Sequence, residues 1–371
     1  MQNPRSRKTK LYCFIIVLLL GYSVSGYSAN LVPQKDWRYL PETVIASNGA
    51  LNTAPLFSGK DISWTIDSGE SWLAIQLPAT KKPTRILWTF GGFIKRSPEE
   101  VSLECSADSN TGVDGTWLEV DQKTCQWPLE QVVISSKSVP FWYRLKLHSS
   151  RSRNITDIGL YRLDGKLRKD YWLIIGASIQ AQSIRNSVFK QMVKDRYPGY
   201  DPIVFNLAVS GWRSNHLRKA LPEFLRSHPD ASYVGIHIGG NNVTQYRPYP
   251  GGAKQLEDDL VAIIKMINQS GKIPILSRLS YRAYKTDPAV PPEENGSGPY
   301  VTKIYDPLIQ KYCPLFFNRT TGKGLVNSYD WFKEHQDELR ADGIHVTKQG
   351  EESWNRLWVE GAGKVIYSVK N

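Results

Sequence analysis

The sequence predicts two successive units of different fold class: an antiparallel β-sandwich, then an α/β unit built on a parallel sheet. Three observations carry this. From about residue 30 to 165, short runs rich in Val, Ile and aromatics recur between Gly, Pro, Ser and Asp. From about residue 170, apolar strand-like runs alternate with longer amphipathic stretches. The chain has 371 residues, 41% of them hydrophobic, enough for two cores of ordinary size. A charged fraction of 22% excludes general disorder.

In the first unit the strand-like runs are DISWTI, WLAIQL, RILWTF, VSLECSA, FWYRLKL and ITDIGLYRL. Alternation is visible in Trp72-Leu73-Ala74-Ile75-Gln76-Leu77, and no long helical periodicity interrupts the series. In the second unit, WLIIGAS precedes a helix expected around 180–196. PIVFNLAV precedes one around 214–227, and YVGIHIGG one around 254–270. The strand KIPILSRL follows. This alternation implies right-handed βαβ units. Tyr281 to Tyr300, rich in Pro and without periodicity, reads as a long loop over the sheet end, of a length that often serves as a lid.

The N-terminus stands apart from both units. Arg5, Arg7, Lys8 and Lys10 precede an apolar run from Leu11 to about Leu20 and the small residues of SVSGYSA. This is the layout of a secretory signal over residues 1–29, with cleavage after Gly26 or Ala29; an uncleaved anchor is the competing reading. The apolar run is short for a membrane span, and Cys13 within it reads as a removed residue. The formal charge is +12 for the whole chain, and the signal holds four basic groups and no acid. The remaining positive charge is dispersed rather than blocked, which implies no nucleic acid and allows a mild attraction to anionic polymers or an envelope surface. Export permits a disulfide; Cys105 and Cys125 flank a turn-rich segment that suits a bridge between strands, leaving Cys313 unpaired. No Cys or His spacing resembles a metal site.

Ligands of open parallel sheets bind at the carboxyl ends of the strands. The first strand delivers Gly176-Ala177-Ser178, a serine that either caps a helix or presents its hydroxyl to the cleft. The second delivers Gly211, a turn glycine or a point of close backbone approach. The third delivers Gly239-Gly240-Asn241-Asn242, a β-turn or an amide donor to an oxyanion. Near the C-terminus stands Asp342-Gly343-Ile344-His345, in which the carboxylate can orient the imidazole. His237 reads as a packing residue within a strand, His216 as a candidate for lining the pocket, and His335 as a solvated residue of a charged helix.

Taken in order, these blocks resemble the SGNH (GDSL-like) hydrolase superfamily over roughly residues 170 to 365. GAS stands for the nucleophile block, Gly211 for the isolated glycine, GGNN for G-x-N-D and DGIH for D-x-x-H, followed by VTKQG and a helix. The resemblance implies a flavodoxin-like three-layer α/β/α sandwich over residues 170–371. It makes Ser178 the nucleophile, His345 the general base and Asp342 its orienting partner. The oxyanion hole would be the N–H groups of Ser178 and Gly211 with the side chain of Asn241, and no cofactor is needed. Two departures matter: Ala177 and Asn242 each replace an aspartate that helps fix the family's loops. Residues 30–165, from Ala46-Ser47-Asn48 through Gly115-Thr116-Trp117 to ITDIGLYRL, resemble a galactose-binding-like jelly-roll domain of the coagulation factor 5/8 C-terminal (discoidin) kind. Such domains often bind glycans and sometimes membranes. Of Trp64, Trp72, Trp88, Trp117, Trp127 and Trp142, most are expected in the core, with one or two free to stack on sugars.

Together these resemblances imply an exported esterase, periplasmic or extracellular, that removes acetyl groups from a polysaccharide. Competing readings are a glycan O-acetyltransferase, a lipase or lysophospholipase, and a non-catalytic glycan-binding protein in which Ala177 and Asn242 mark decay. The acyl group, the glycan and the oligomeric state are not encoded legibly.

Overall fold

The computed structural model describes residues 33, 35, 38–39, 43–47, 64–77, 85–91, 99–124, 131–135, 142–155, 157–162, 168–243, 252–282 and 297–367. The expected signal over 1–29, Cys13, Cys125, Trp127 and most of the loop from Tyr281 to Tyr300 lie outside these residues.

The first part of the chain is built of short strands: β1 (Arg38–Tyr39), β2 (Thr43–Ala46), β3 (Trp64–Ile66), β4 (Gly69–Gln76), β5 (Arg85–Gly91), β6 (Glu100–Ser106), β7 (Leu118–Thr124), β8 (Gln131–Ser135), β9 (Trp142–Ser149), β10 (Arg153–Ile155) and β11 (Asp157–Arg162). They pair antiparallel, in sheets of order β2-β4-β9-β6-β7 and β1-β11-β5-β8, with β3 and β10 forming a short ribbon. Alternation decides which face is buried. Leu73, Leu145 and Leu103 lie side by side in register and are fully buried, whereas Arg144 and Lys146 project from the opposite face. There Arg144 pairs with Glu104, directly across from it, at 2.6 Å. Ile158 and Leu160 of β11 join the same apolar cluster, so the two sheets share one core. Trp64 and Trp142 are buried; Trp72 and Trp117 are partly exposed, with the Arg144 guanidinium 5.6 and 4.2 Å from their rings.

The expected bridge from Cys105 is not formed. Cys105 carries a free thiol, and burial raises its pKa. Cys105 faces Leu118 across the β6–β7 hairpin, and Cys125, the partner expected for it, lies outside the described residues.

The second part follows from β12 (Tyr171–Gly176), β13 (Ile203–Asn206), β14 (Tyr233–His237) and β15 (Ile273–Leu276), all parallel, in the order β13-β12-β14-β15. Every residue of β12, β14 and β15 is buried, as strands covered on both faces require. The helices are α1 (Ser178–Ser183), α2 (Asn186–Arg196), α3 (Ser214–Ser227), α4 (Gly252–Gln269), α5 (Gly298–Tyr300), α6 (Asp306–Tyr312), α7 (Ser328–Glu334), α8 (Lys348–Gly361) and α9 (Gly363–Tyr367), with a π turn over Val301–Tyr305 before α6. The step from β12 to β13 runs opposite to the steps from β13 to β14 and β14 to β15. Right-handed crossovers therefore put α1 and α2 on one face and α3 and α4 on the other. Helix α8 packs with α1 and α2, and α3 packs with α4, which makes three layers.

The helix expected around 180–196 is two helices. The Asn206 side-chain amide donates to the carbonyls of Gln180 and Ile184, at 2.8 and 2.9 Å; the Gln180 carbonyl still takes the Ile184 N–H, and at the cap residue Ile184, where the backbone turns extended, the amide occupies the carbonyl that a further turn would need. The expected helices at 214–227 and 254–270 correspond to α3 and α4.

At the amino end of β12, away from the strand ends that bind ligands, Asp170 is completely buried. Its Oδ1 accepts from the Tyr367 hydroxyl (2.7 Å) and the Trp172 indole (3.1 Å), while its buried Oδ2 has no donor. Burial pushes the carboxyl pKa up to about 7. The folded protein thus holds this proton more tightly than the unfolded chain does. Its stabilising contribution is complete below the ordinary value of 3.8 and is lost as pH rises through about 7. Asp170→Asn keeps the Oδ1 acceptor and removes the titration. Urea unfolding from about pH 5 to pH 8 should show wild-type stability falling with pH and a flatter profile in the variant.

Candidate active site

The chain leaves β12 toward β13 and returns to β14 on the other side of β12. That reversal opens a crevice at the carboxyl ends of β12 and β14, where an open α/β sheet binds its ligand. Ser178 follows β12, Gly211 follows β13 and Asn241 follows β14.

The nucleophile candidate is placed by a tight junction. Gly176 pairs with His237, and a Cβ on Gly176 would stand 2.1 Å from the His237 carbonyl oxygen. That carbonyl accepts from Ala177 N–H at 3.2 Å, and the Gly176 carbonyl accepts from Val209 N–H at 3.1 Å. The strand is thus held on both sides up to its last peptide, and α1 begins at Ser178. Ala177, in the cap position, has no side chain with which to accept a first-turn N–H. Ser178 is half-buried.

His345 reaches Ser178 from the far end of the chain. Ser178 Oγ lies 2.9 Å from His345 Nε2, and His345 Nδ1 lies 2.7 Å from Asp342 Oδ2. An ionised carboxylate only accepts, so Nδ1 carries the proton and Nε2 is left to accept the serine hydroxyl. The local turn explains the spacing. Asp342 Oδ1 accepts the backbone N–H of Ile344 and of His345, each at 2.9 Å, and Gly343 takes φ +64°. Burial would raise the Asp342 carboxyl, but the hydrogen bonds from the His345 ring and from these two backbone groups outweigh it and hold the pKa below its ordinary value.

The turn sits on a hairpin that Glu338 anchors. Arg340 N–H donates to the His345 carbonyl at 2.7 Å, and Thr347 N–H to the Glu338 carbonyl at 2.8 Å. The buried Glu338 carboxylate accepts from the Trp331 indole (2.9 Å) and the Ser353 hydroxyl of α8 (3.0 Å). The same helix grips α1: the Trp354 indole donates to Gln180 Oε1 (2.9 Å) and the Asn355 amide to the Ser183 carbonyl (2.8 Å).

Two loops complete the crevice. Val209 to Trp212 form a turn closed by Trp212 N–H to the Val209 carbonyl (3.2 Å), with Gly211 at φ +82°. A glycine is needed there for its conformation, since a Cβ would meet open space. After β14, Gly239 takes φ +110°, and both it and Gly240 are closely surrounded: Cβ atoms would lie 2.0 Å from the Tyr305 hydroxyl and 1.6 Å from the Arg282 guanidinium. The Asn241 amide donates to the Trp212 carbonyl at 2.9 Å. That uses one of its two N–H groups and leaves the other for a ligand.

The remaining histidines separate clearly. His237 is buried and neutral: burial first, then the Arg282 charge, lower its pKa to about 3, and its Nδ1 bonds Ser277 Oγ at 2.8 Å. His216 is exposed, and its Nδ1 accepts the Arg213 backbone N–H at 3.3 Å. His335, expected in solvent, is half-buried and stacked 3.9 Å from the Trp331 ring. Among the described residues, no group of three His, Cys, Asp or Glu is placed to hold a metal. The sequence reading missed Gln180, Asp259, Arg282, Tyr305, Glu338 and Trp354. Asp259 had a legible signal, a carboxylate within the apolar stripe of Leu256, Leu260 and Ile263 on α4.

Glu338→Ala leaves the Trp331 and Ser353 donors without their acceptor, at a cost of about 2–3 kcal/mol. Urea denaturation should show that loss, accompanied by reduced reactivity of Ser178.

No family model matches the chain, and no curated protein does. Solved structures show distant likeness. An acetylxylan esterase of Geobacillus stearothermophilus has 18% identity, with 55% of this chain and 98% of that chain covered, at a TM-score of 0.41. A lipase/acylhydrolase of Enterococcus faecalis has 18% identity, 54% and 96% coverage and a TM-score of 0.42. A Bacillus subtilis protein, YxiM, has 12% identity, 86% and 90% coverage and a TM-score of 0.43. At these TM-scores the likenesses carry no weight for the chemistry, which stands on the geometry of the site itself.

Proposed function

We propose that this chain is an exported serine esterase acting through an acyl-enzyme, and that its substrate is an O-acetylated polysaccharide of the envelope or cell exterior. One observation carries the esterase reading: the unbroken series of hydrogen bonds from Asp342 through His345 to Ser178.

In this mechanism His345 Nε2 takes the Ser178 hydroxyl proton as Oγ attacks the ester carbonyl. Asp342 holds the ring and stabilises the imidazolium. The oxyanion is received by the N–H groups of Ser178 and Gly211 and the Asn241 amide, each such donor being worth roughly 3 kcal/mol in the barrier. His345 then returns the proton to the leaving alcohol. Water, activated by the same ring, releases the acyl group and frees Ser178. Residues 170–371 form the catalytic unit in this reading. Residues 30–165 present glycan-facing surface, for which partly exposed Trp72 and Trp117 are candidates. Residues 1–29 serve export.

The non-catalytic reading is disfavoured by the hydrogen-bonding distance that Ser178 and His345 keep across 167 residues of sequence. Ser178→Ala should abolish release of acetate from acetylated polysaccharide and hydrolysis of an aryl acetate. His345→Ala should lower kcat by about 10⁴-fold or more. Full activity in Ser178→Ala, or no labelling of Ser178 by a serine-directed phosphonate, would sink the esterase reading. Transfer of acetyl to an added sugar acceptor would redirect it to a transferase, and preference for long acyl chains to a lipase.

A further inference from the structure

Behind the two loops of the crevice lies a buried polar chain that the catalytic scheme does not use. Ser214, the first residue of α3, is fully buried, and Asn242 is 4% exposed. Ser214 N–H donates to Asn242 Oδ1 at 3.0 Å, and Asn242 Nδ2 donates to Ser214 Oγ at 2.9 Å. The Ser214 hydroxyl donates in turn to Asp259 Oδ2 on α4, at 2.7 Å. The other Asp259 oxygen accepts from Arg218 (2.9 Å) and Gln255 (3.0 Å), and Asp259 itself is completely buried.

The order of donors follows from charge. An ionised carboxylate only accepts, so Asp259 claims the single hydroxyl proton of Ser214. The serine oxygen then has only lone pairs to offer, and position 242 must present an N–H to it. Asparagine does so with its amide nitrogen and takes the Ser214 backbone N–H with its oxygen. A carboxylate at 242 would face Asp259 across one hydroxyl with one proton between them. Asparagine at 242 thus fits the buried carboxylate of Asp259 on α4.

We infer that Asp259 is a positioning residue for the oxyanion hole, acting through Ser214 and Asn242 on the loops that carry Gly211 and Asn241. The connection is short. Asn242 is the chain neighbour of Asn241, whose amide holds the Trp212 carbonyl, and Ser214 begins the helix that leaves the Gly211 turn. Asp259 touches neither Ser178 nor His345; it acts by fixing where two donors stand. A carboxylate near the amino end of α3 is also favoured by the helix dipole.

This inference rests on the esterase reading for its kinetic arm and on the buried chain alone for its stability arm. The test is a charge-swap cycle of Asn242→Asp, Asp259→Asn and the double variant, each assayed on an aryl acetate and unfolded in urea. Each single change should lower kcat by about 10- to 100-fold with KM within about twofold, because displaced oxyanion donors are missed in the transition state. Each should also lower stability. In the double variant the carboxylate stands at 242 and the relay runs in reverse. The Ser214 hydroxyl donates to position 242, and the amide at 259 donates to the serine oxygen. The double variant should recover kcat to within about threefold of wild type, and its stability should exceed that of either single. Additive losses in stability would overturn the relay, whether or not the chain hydrolyses the ester. Recovery of stability without recovery of kcat, in a wild type that is active, would overturn the positioning role. An inactive wild type with a strongly coupled stability cycle would uphold the relay and count against the esterase reading.

Discussion

The contact on which the site depends is the grip of helix α8 on helix α1. The Trp354 indole donates to the Gln180 amide oxygen, and the Asn355 amide to the Ser183 carbonyl. Ser178 starts α1, and the hairpin bearing Asp342 and His345 leads directly into α8. One helix therefore sets the distance between two groups from opposite ends of the α/β unit. The Thr347 hydroxyl accepts from Gly350 N–H at 3.2 Å and fixes where α8 begins. Without this anchor the Asp342 turn would still form, because its hydrogen bonds are local. It would have no reason to face a serine.

The glycines near the crevice serve different physical ends. Gly176, Gly239 and Gly240 are small because a backbone carbonyl, a tyrosine hydroxyl and an arginine head occupy the space a methyl would need. Gly211 and Gly343 are there for positive φ, which Gly239 takes as well, and the surroundings of Gly211 are open. The first group transmits packing from the core to the loops. The second lets the chain turn sharply at each loop. Arg282 belongs to the first kind of constraint: its buried charge lies against Gly240 and helps keep His237 neutral.

Ala177 and Asn242 stand at two loops of the crevice that are held in different ways. Ala177 offers no side-chain cap at the start of α1, and the junction is held by backbone bonds from Ala177 N–H to the His237 carbonyl and from Val209 N–H to the Gly176 carbonyl. Asn242 is held through its side chain, bonded to Ser214 and through it to Asp259.

The sequence by itself determined the class of each part, because alternation and helical periodicity are local and burial follows from them. Five-residue strands such as YVGIH and the helices at 214–227 and around 254–270 were legible for that reason. It also determined the Asp342–His345 contact, whose members are three residues apart on one turn. The tertiary structure decided what depends on distant pairing. The division of the helix after Ser178 was set by Asn206 from the next strand. His335 left solvent for the face of Trp331. The approach of His345 to Ser178, across 167 residues, was set by α8. Local hydrogen bonds and periodic burial are written along the chain, whereas register and helix docking emerge only when surfaces far apart in sequence compete for the same partners.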